Sequence, residues 1–269
     1  MGFTDRLVSI SRKNKSWLCI GLDPDPDLMP VVDVLRFNKA IIDATSDLVC
    51  AYKPNLAFYE ALGTEGFSIL EKTVTYIPDG IPVIADAKRS DIGHTARAYA
   101  RALFSVLGFD AATVNPYLGL DSIEPFLSYQ DRGVFVLCRT SNPGAADFQS
   151  LQTGGRPLYE VVARKAREWN THGNIGLVVG ATSPQELRRV RSICPNMCLL
   201  IPGVGAQGGD LASAVSYGRD ARDEKAIINV SRQILYASKG GDFAEAARAV
   251  AEDIRKQVNS YLASRSKSE

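Results

Sequence analysis

Pro82-Val83-Ile84-Ala85-Asp86-Ala87-Lys88-Arg89-Ser90-Asp91 opens with four apolar residues in succession and ends with four charges within six positions. An unbroken apolar run suits a strand buried on both faces, the condition of a parallel sheet covered by helices. Charged groups are costly to bury unpaired. Their crowding at the end of such a strand marks a place where partners converge. Comparable short runs occur at 17–23, 50–53, 82–86, 112–115, 133–138, 175–179, 198–202 and 226–230. Between most of them the apolar residues recur with helical period, most clearly over 37–49, 67–76, 95–107, 158–169 and 185–193. A long amphipathic helix is expected over 243–264, with Asp242 as its cap. Ser183-Pro184-Gln185-Glu186 reads as a helix start with Ser at the cap, Pro at the first position and Glu at the third.

Eight strand-like runs alternating with helices, with no linker between them, predict a single (β/α)8 TIM barrel over residues 1–269. An open doubly wound sheet would place a glycine-rich turn after the first strand, but Asp23-Pro24-Asp25-Pro26 stands there. Residues 1–16 read as a leading helix that covers one end of the barrel. The polar stretch 139–155 is a candidate lid after the fifth strand.

The chain has 269 residues, 31 basic and 30 acidic, for a net charge of +1. Such a balance offers no footprint for nucleic acid or for an anionic membrane surface. No apolar run is long enough to span a membrane. Cys19, Cys50, Cys138, Cys194 and Cys198 are odd in number and form no CxxC pair, which argues against a disulfide framework or a zinc site. They read as small buried apolar residues of a cytoplasmic protein. His94 and His172, the two histidines, lack the neighbours of a metal site or a nucleophilic triad. No metal and no cofactor is expected.

In a barrel, chemistry sits at the C-terminal ends of the strands. Those ends carry Asp23, Lys53, the Asp86–Asp91 cluster, Asn115, Arg139-Thr140-Ser141, the loop from Gly203 to Gly209, and Ser231-Arg232. Asp86 and Lys88, two apart on a strand, are expected on one face. Lys53 and Asp23 can join them from adjacent strands. Asp91 can approach the same lysine or that of a neighbouring chain. An opposite charge on each side favours the ammonium form of a lysine, so the array holds a fixed proton donor, useful for quenching a carbanion. After the seventh and eighth strands, Gly203, Gly205, Gly208 and Gly209 allow backbone N–H groups close to an anion, and Arg232 adds a forked cation. Gln207 can reach the same anion or the substrate. Ser141 can read a polar substrate edge.

These residues resemble a known family. Asp86-Ala87-Lys88-Arg89-Ser90-Asp91-Ile92 is similar to the D-x-K-x-x-D-I signature of the orotidine 5′-phosphate decarboxylases. Gly21-Leu22-Asp23, Tyr52-Lys53-Pro54-Asn55, Asn115-Pro116-Tyr117, Ser141-Asn142-Pro143-Gly144 and Pro202-Gly203-Val204-Gly205-Ala206-Gln207-Gly208-Gly209 follow in the family's order. The Lys-Pro-Asn and Asn-Pro-Tyr-Leu-Gly segments resemble its longer bacterial subgroup. The resemblance implies a homodimeric barrel that converts orotidine 5′-phosphate to uridine 5′-phosphate and carbon dioxide. It implies that Lys88 protonates C6 and that Asp86 lies against the substrate carboxylate. Lys53 would hold the ribose and Asp86, and Asp23 would bind the ribose hydroxyls. Ser141 would recognise the pyrimidine, and Gln207 and Arg232 the phosphate. Asp91 and Thr95 would cross to the partner's site. The family pattern assigns nothing to Arg139 or Thr140.

Magnesium-dependent sugar-phosphate decarboxylases and hexulose-phosphate synthases resemble the chain in the third-strand motif and phosphate loop. They place an acidic metal ligand at the second strand end, where Lys53 stands here. A Schiff-base aldolase would need a lysine made neutral in an apolar pocket. A non-catalytic barrel that binds a phosphorylated ligand is the reading from another class, and the charge array argues against it.

Overall fold

The computed structural model describes residues 1–205 and 207–265, so Ala206 of the glycine loop lies outside the described residues. Eight parallel strands form the barrel: β1 Leu18–Leu22, β2 Ala51–Pro54, β3 Ile84–Arg89, β4 Ala111–Val114, β5 Gly133–Arg139, β6 Ile175–Val179, β7 Cys198–Pro202 and β8 Ala226–Val230. Each pairs with its neighbours in chain order, and β8 returns to β1. Between β2 and β3 the ladder thins to the bridges Tyr52–Val83 and Asn55–Asp86, which close the ring. Every residue of β1, β2, β4, β6 and β8 is buried, as the unbroken apolar runs require.

Helices cover the outside at Val34–Thr45, Gly63–Tyr76, Gly93–Arg101, Leu158–Trp169, Pro184–Ile193 and Leu211–Gly218, and the helix Phe243–Arg265 closes the chain. The first starts earlier than its periodicity predicts, because Asp33 accepts from the Arg36 N–H and caps it. The helix at Gly93 ends in a turn of π-helix, Ala102–Val106. Leu211–Gly218 has too little periodic contrast to predict. Asp210 caps it by accepting from the Ser213 N–H at 2.8 Å. One expected cap differs. Ser183 occupies the cap position without a side-chain bond, and Glu186 turns instead to Arg139. Asp242 stands at the cap position of the last helix, its carbonyl accepting from the Ala246 N–H at 2.9 Å. The Asp242 carboxylate accepts from Ser238 Oγ at 2.6 Å. The stretch expected as a lid is internally structured, with a turn at Pro143–Ala145, a short helix at Ala146–Gln149 and a small hairpin pairing Gln152–Thr153 with Arg156–Pro157.

The leading helix, Phe3–Asn14, buries Phe3, Leu7 and Ile10. The Phe3 ring meets Phe135 edge-on at 5.7 Å and 87°. A Cβ on Gly133 would stand 2.5 Å from that ring, so only glycine fits at the start of β5. Arg6 pairs with Asp110 at 2.9 Å and Arg12 with Glu224. Asp110, Gly133 and Glu224 all lie at the N-terminal ends of strands, so this helix seals that end and leaves the other open. All five cysteines are buried and free. Among the described residues, no helix is long and apolar enough to cross a membrane.

Candidate active site

The C-terminal ends of the strands surround a cavity of about 430 Å³. Asp23, Lys53, Asp86, Lys88, Ser141, Gln207 and Arg232 all line it. At its floor Lys53 Nζ donates to Asp86 Oδ2 at 2.5 Å, and Lys88 Nζ donates to Asp86 Oδ1 at 2.5 Å. One carboxylate thus joins two ammonium groups. The Lys53 side chain is 4% exposed and that of Lys88 51%, so the chain of charges runs from the interior to the open cavity. Burial alone would raise the Asp86 carboxyl, but Lys53 and Lys88 outweigh it and hold the group far below the usual carboxylate range. Burial would likewise lower Lys53, yet Asp86 and then Asp23 outweigh it and hold the ammonium charged.

Asp23 behaves oppositely. Burial raises its carboxyl against the pull of Lys53, and its Oδ1 has no hydrogen-bond partner. It is a desolvated carboxylate of a cavity-lining residue, drawn down also by a hydrogen bond with Ser231 but left with bonding capacity at Oδ1.

Asp86 and Lys88 do meet, but not by strand alternation. The β3–β4 register shifts between Ala85 and Arg89, and Lys88 has φ +48°. For a residue with a Cβ that region costs about 1–2 kcal/mol. Thr113 Oγ1 accepts from the Ala87 N–H at 3.0 Å and the Lys88 N–H at 2.9 Å, and donates to Asp86 Oδ1 at 3.3 Å. A buried hydroxyl from β4 therefore holds the bulge that turns Lys88 inward. Thr113 was not singled out from the sequence, although a polar residue in Ala111-Ala112-Thr113-Val114 was the available signal. Arg89 leaves the site for Glu60.

On the far side, Gly203, Gly205 and Gly208 take φ values of +93°, +71° and +84°. Side chains rarely adopt that region, so the loop shape depends on glycine. Ser141 Oγ donates to Gln207 Oε1 at 2.7 Å and bridges the loops after β5 and β7. Arg232 is exposed, and among the described residues its guanidinium has no hydrogen bond or ion pair. Asn55, Asn229 and Gln233 line the cavity too and were not anticipated. Asn229 Oδ1 is buried without a partner. Arg139 is held by Glu186.

Four expected residues, Gly205, Gly208, Asp91 and Thr95, are absent from the lining of this cavity, the two glycines belonging to the loop whose Gly203, Val204 and Gln207 do line it. Asp91 accepts from its neighbour's Ile92 N–H at 2.7 Å and makes no ion pair with Lys88. Thr95 is exposed on the helix after β3. His94 Nδ1 lies 2.6 Å from Arg97 Nη2 and takes no part in the array. Among the described residues, no three His, Cys, Asp or Glu side chains are grouped to share a metal ion.

The arrangement can hold an anion on the Gly203 and Arg232 side of the same cavity whose floor carries an ammonium donor and a carboxylate. Comparison with known proteins points the same way. Residues 16–250 match the model of the orotidine 5′-phosphate decarboxylase / HUMPS family. The chain is 54% identical over 266 residues to an orotidine 5′-phosphate decarboxylase of Dehalococcoides mccartyi, covering 97% of this chain and 98% of that one. It is similar to the OMP decarboxylase of Leishmania donovani, with a TM-score of 0.85, 42% identity and coverage of 96% and 99%. It is similar as well to the UMP synthase of that organism, with a TM-score of 0.89 and 43% identity, covering 97% of this chain and 56% of that longer one.

Proposed function

The chain belongs to the orotidine 5′-phosphate decarboxylase / HUMPS family, and from that premise we propose that it converts orotidine 5′-phosphate to uridine 5′-phosphate and carbon dioxide, a step of pyrimidine nucleotide synthesis in the cytoplasm. The observation that carries this reading is the Lys53–Asp86–Lys88 chain at the cavity floor. In the HUMPS-type alternative an acidic metal ligand would stand where Lys53 does.

The bond between C6 and the carboxylate breaks, its electron pair stays on C6, and carbon dioxide leaves. The C6 carbanion has little resonance relief, so the barrier must fall by roughly 20 kcal/mol, near the top of the enzyme range. Lys88 gives one N–H proton to C6 and regains it from solvent. Proton transfer supplies only about 10²–10⁴-fold, so most of the lowering comes from contacts stronger in the transition state. An ammonium fixed beside C6 is one. Asp86 facing the substrate carboxylate would contribute repulsion of about 4 kcal/mol at 4 Å and an effective dielectric of 20, relieved as carbon dioxide departs. Lys53 locks Asp86 in its ionised form and reaches the ribose. Asp23, with its partnerless Oδ1, accepts from ribose hydroxyls. Ser141 reads the pyrimidine amide, and Gln207, Gly205, Gly208 and Arg232 take the phosphate. Asp91 and Thr95, outside the cavity of their own chain, serve the site of the partner in a homodimer.

The test is turnover of orotidine 5′-phosphate by chelator-treated protein, with uridine 5′-phosphate and carbon dioxide measured together. Equal yields of both are expected. Activity lost to the chelator and restored by magnesium would favour the sugar-phosphate branch.

A further inference from the structure

The turn Asp23-Pro24-Asp25-Pro26 contains two prolines without N–H groups, so its own donors are those of Asp23 and Asp25. The Tyr236 hydroxyl donates to the Asp23 carbonyl at 2.7 Å and accepts from the Asp25 N–H at 2.7 Å. It straddles the peptide units on either side of Pro24 and uses both roles of a hydroxyl. Tyr236 directly follows the short helix Arg232–Leu235, and its N–H donates to the Arg232 carbonyl at 3.1 Å. Arg232 and Tyr236 are thus the two ends of a single helical turn. The Tyr236 ring stacks on buried Phe37 at 6.1 Å and 12°, and Phe37 stacks on Phe243 at 5.4 Å. These stacks give the hydroxyl a fixed base. Burial pushes the phenol up to about 12, so the hydroxyl stays a neutral donor at physiological pH. One strand position earlier, Tyr59 donates to the Leu22 carbonyl at 3.3 Å. The Asp23 backbone is gripped from both sides, while Oδ1 of its carboxylate has no partner.

We infer that Tyr236 is a positioning residue that ties the Arg232 turn to the Asp23 turn, so that an anion bound by Arg232 steadies the Asp23 carboxylate across the mouth. The inference rests on the reading of Arg232 as a phosphate contact. Among the described residues the Arg232 guanidinium has no partner, whereas the hydroxyl link to Asp23 is already made. Restraint applied to the guanidinium therefore has a short covalent and hydrogen-bonded route to β1.

Two measurements test it. In the first, amide hydrogen exchange of the wild-type protein is followed with and without inorganic phosphate. Slowed exchange in both 231–237 and 22–29 is the expected result. Slowing in 231–237 alone would overturn the coupling and leave the phosphate reading intact. Slowing in neither would overturn both. In the second, Tyr236→Phe keeps the ring stack and removes both hydroxyl bonds. It should lower kcat/KM for orotidine 5′-phosphate by about tenfold or more, since two net hydrogen bonds are at stake. In an Arg232→Ala background the same change should cost less than about threefold, because coupled sites are non-additive. Equal losses in the two backgrounds would reduce Tyr236 to a structural role independent of phosphate.

Discussion

At the N-terminal end of the strands, the leading helix seals the barrel with Phe3 against Phe135, over a glycine that leaves room for the ring. At the C-terminal end the same strands run out into Lys53, Asp86 and Lys88, held by ion pairs of 2.5 Å. The first end gains from burying apolar surface, its one tight requirement being the glycine under the Phe3 ring. The second accepts burial of charge, an unpartnered Asp23 oxygen and a left-handed Lys88. One set of strands therefore carries two separable duties, and substitutions at the two ends should fail in different ways. At the sealed end they should cost stability, and at the open end turnover.

The largest expected effect concerns Asp91, which does not line the cavity at the open end of its own chain. Lys88→Ala and Asp91→Ala homodimers should each be nearly inactive if Asp91 serves the partner's Lys88. Equal mixing with subunit exchange makes about half the dimers mixed, each with one intact site of two, so activity should recover to about a quarter of wild type. With exchange verified, no recovery would make Asp91 a local partner instead. Next comes the sealed end. Phe3→Ala should cost about 3–5 kcal/mol of stability by denaturant unfolding, with kcat per folded molecule unchanged. A matching fall in kcat would join the two duties. At the mouth, Arg232→Ala should weaken use of the phosphorylated substrate, by about 2–5 kcal/mol if the bound phosphate buries the pair, and cost far less for orotidine without phosphate. Equal losses would remove Arg232 from the phosphate site.

The smallest effects separate the two carboxylates that flank Lys53. The Asp23 carboxyl is raised by burial, so the folded state pays for ionising it, and its cost appears as pH climbs past an unfolded value near 3.9. Asp23→Asn should therefore melt at an equal or higher temperature at pH 7, the gain vanishing toward pH 4 and below, while KM rises. The Asp86 carboxyl is depressed by its two lysines despite burial. Its contribution is present above pH 4 and is lost as pH falls, so Asp86→Asn should destabilise at pH 7. Thermal melts of both variants between pH 4 and 8 would show whether these signs hold.

Much of this contrast was readable in the sequence. The eight apolar runs gave the strands because strands buried on both faces leave a continuous signature, and the charged residues that end them gave the mouth. The bulge at Lys88 was not readable, since regular alternation predicts the same neighbourhood for Asp86 and Lys88. Only the tertiary contact with Thr113 reveals how it is made. Asn55 and Asn229 received no role because short amides near strand ends look like ordinary caps and turns, and Gln233 because a glutamine in a short helix looks like surface. The helix Leu211–Gly218 was missed because alanine, serine and tyrosine blur the period that marks a buried face. Glu186 reads as a capping residue until Arg139 is seen beside it.

The separation of duties and the role of the charge chain meet in Lys88, whose side chain is half exposed and whose ammonium has Asp86 as its ion-pair partner. The direct measurement is the turnover of orotidine 5′-phosphate by Lys88→Ala, set against its thermal melt. The account predicts a folded protein melting close to wild type, with turnover reduced by about 10⁴-fold or more, the upper range of proton-transfer catalysis. Near-normal turnover in the folded variant would contradict it and leave the Lys53–Asp86–Lys88 chain a structural ion-pair network.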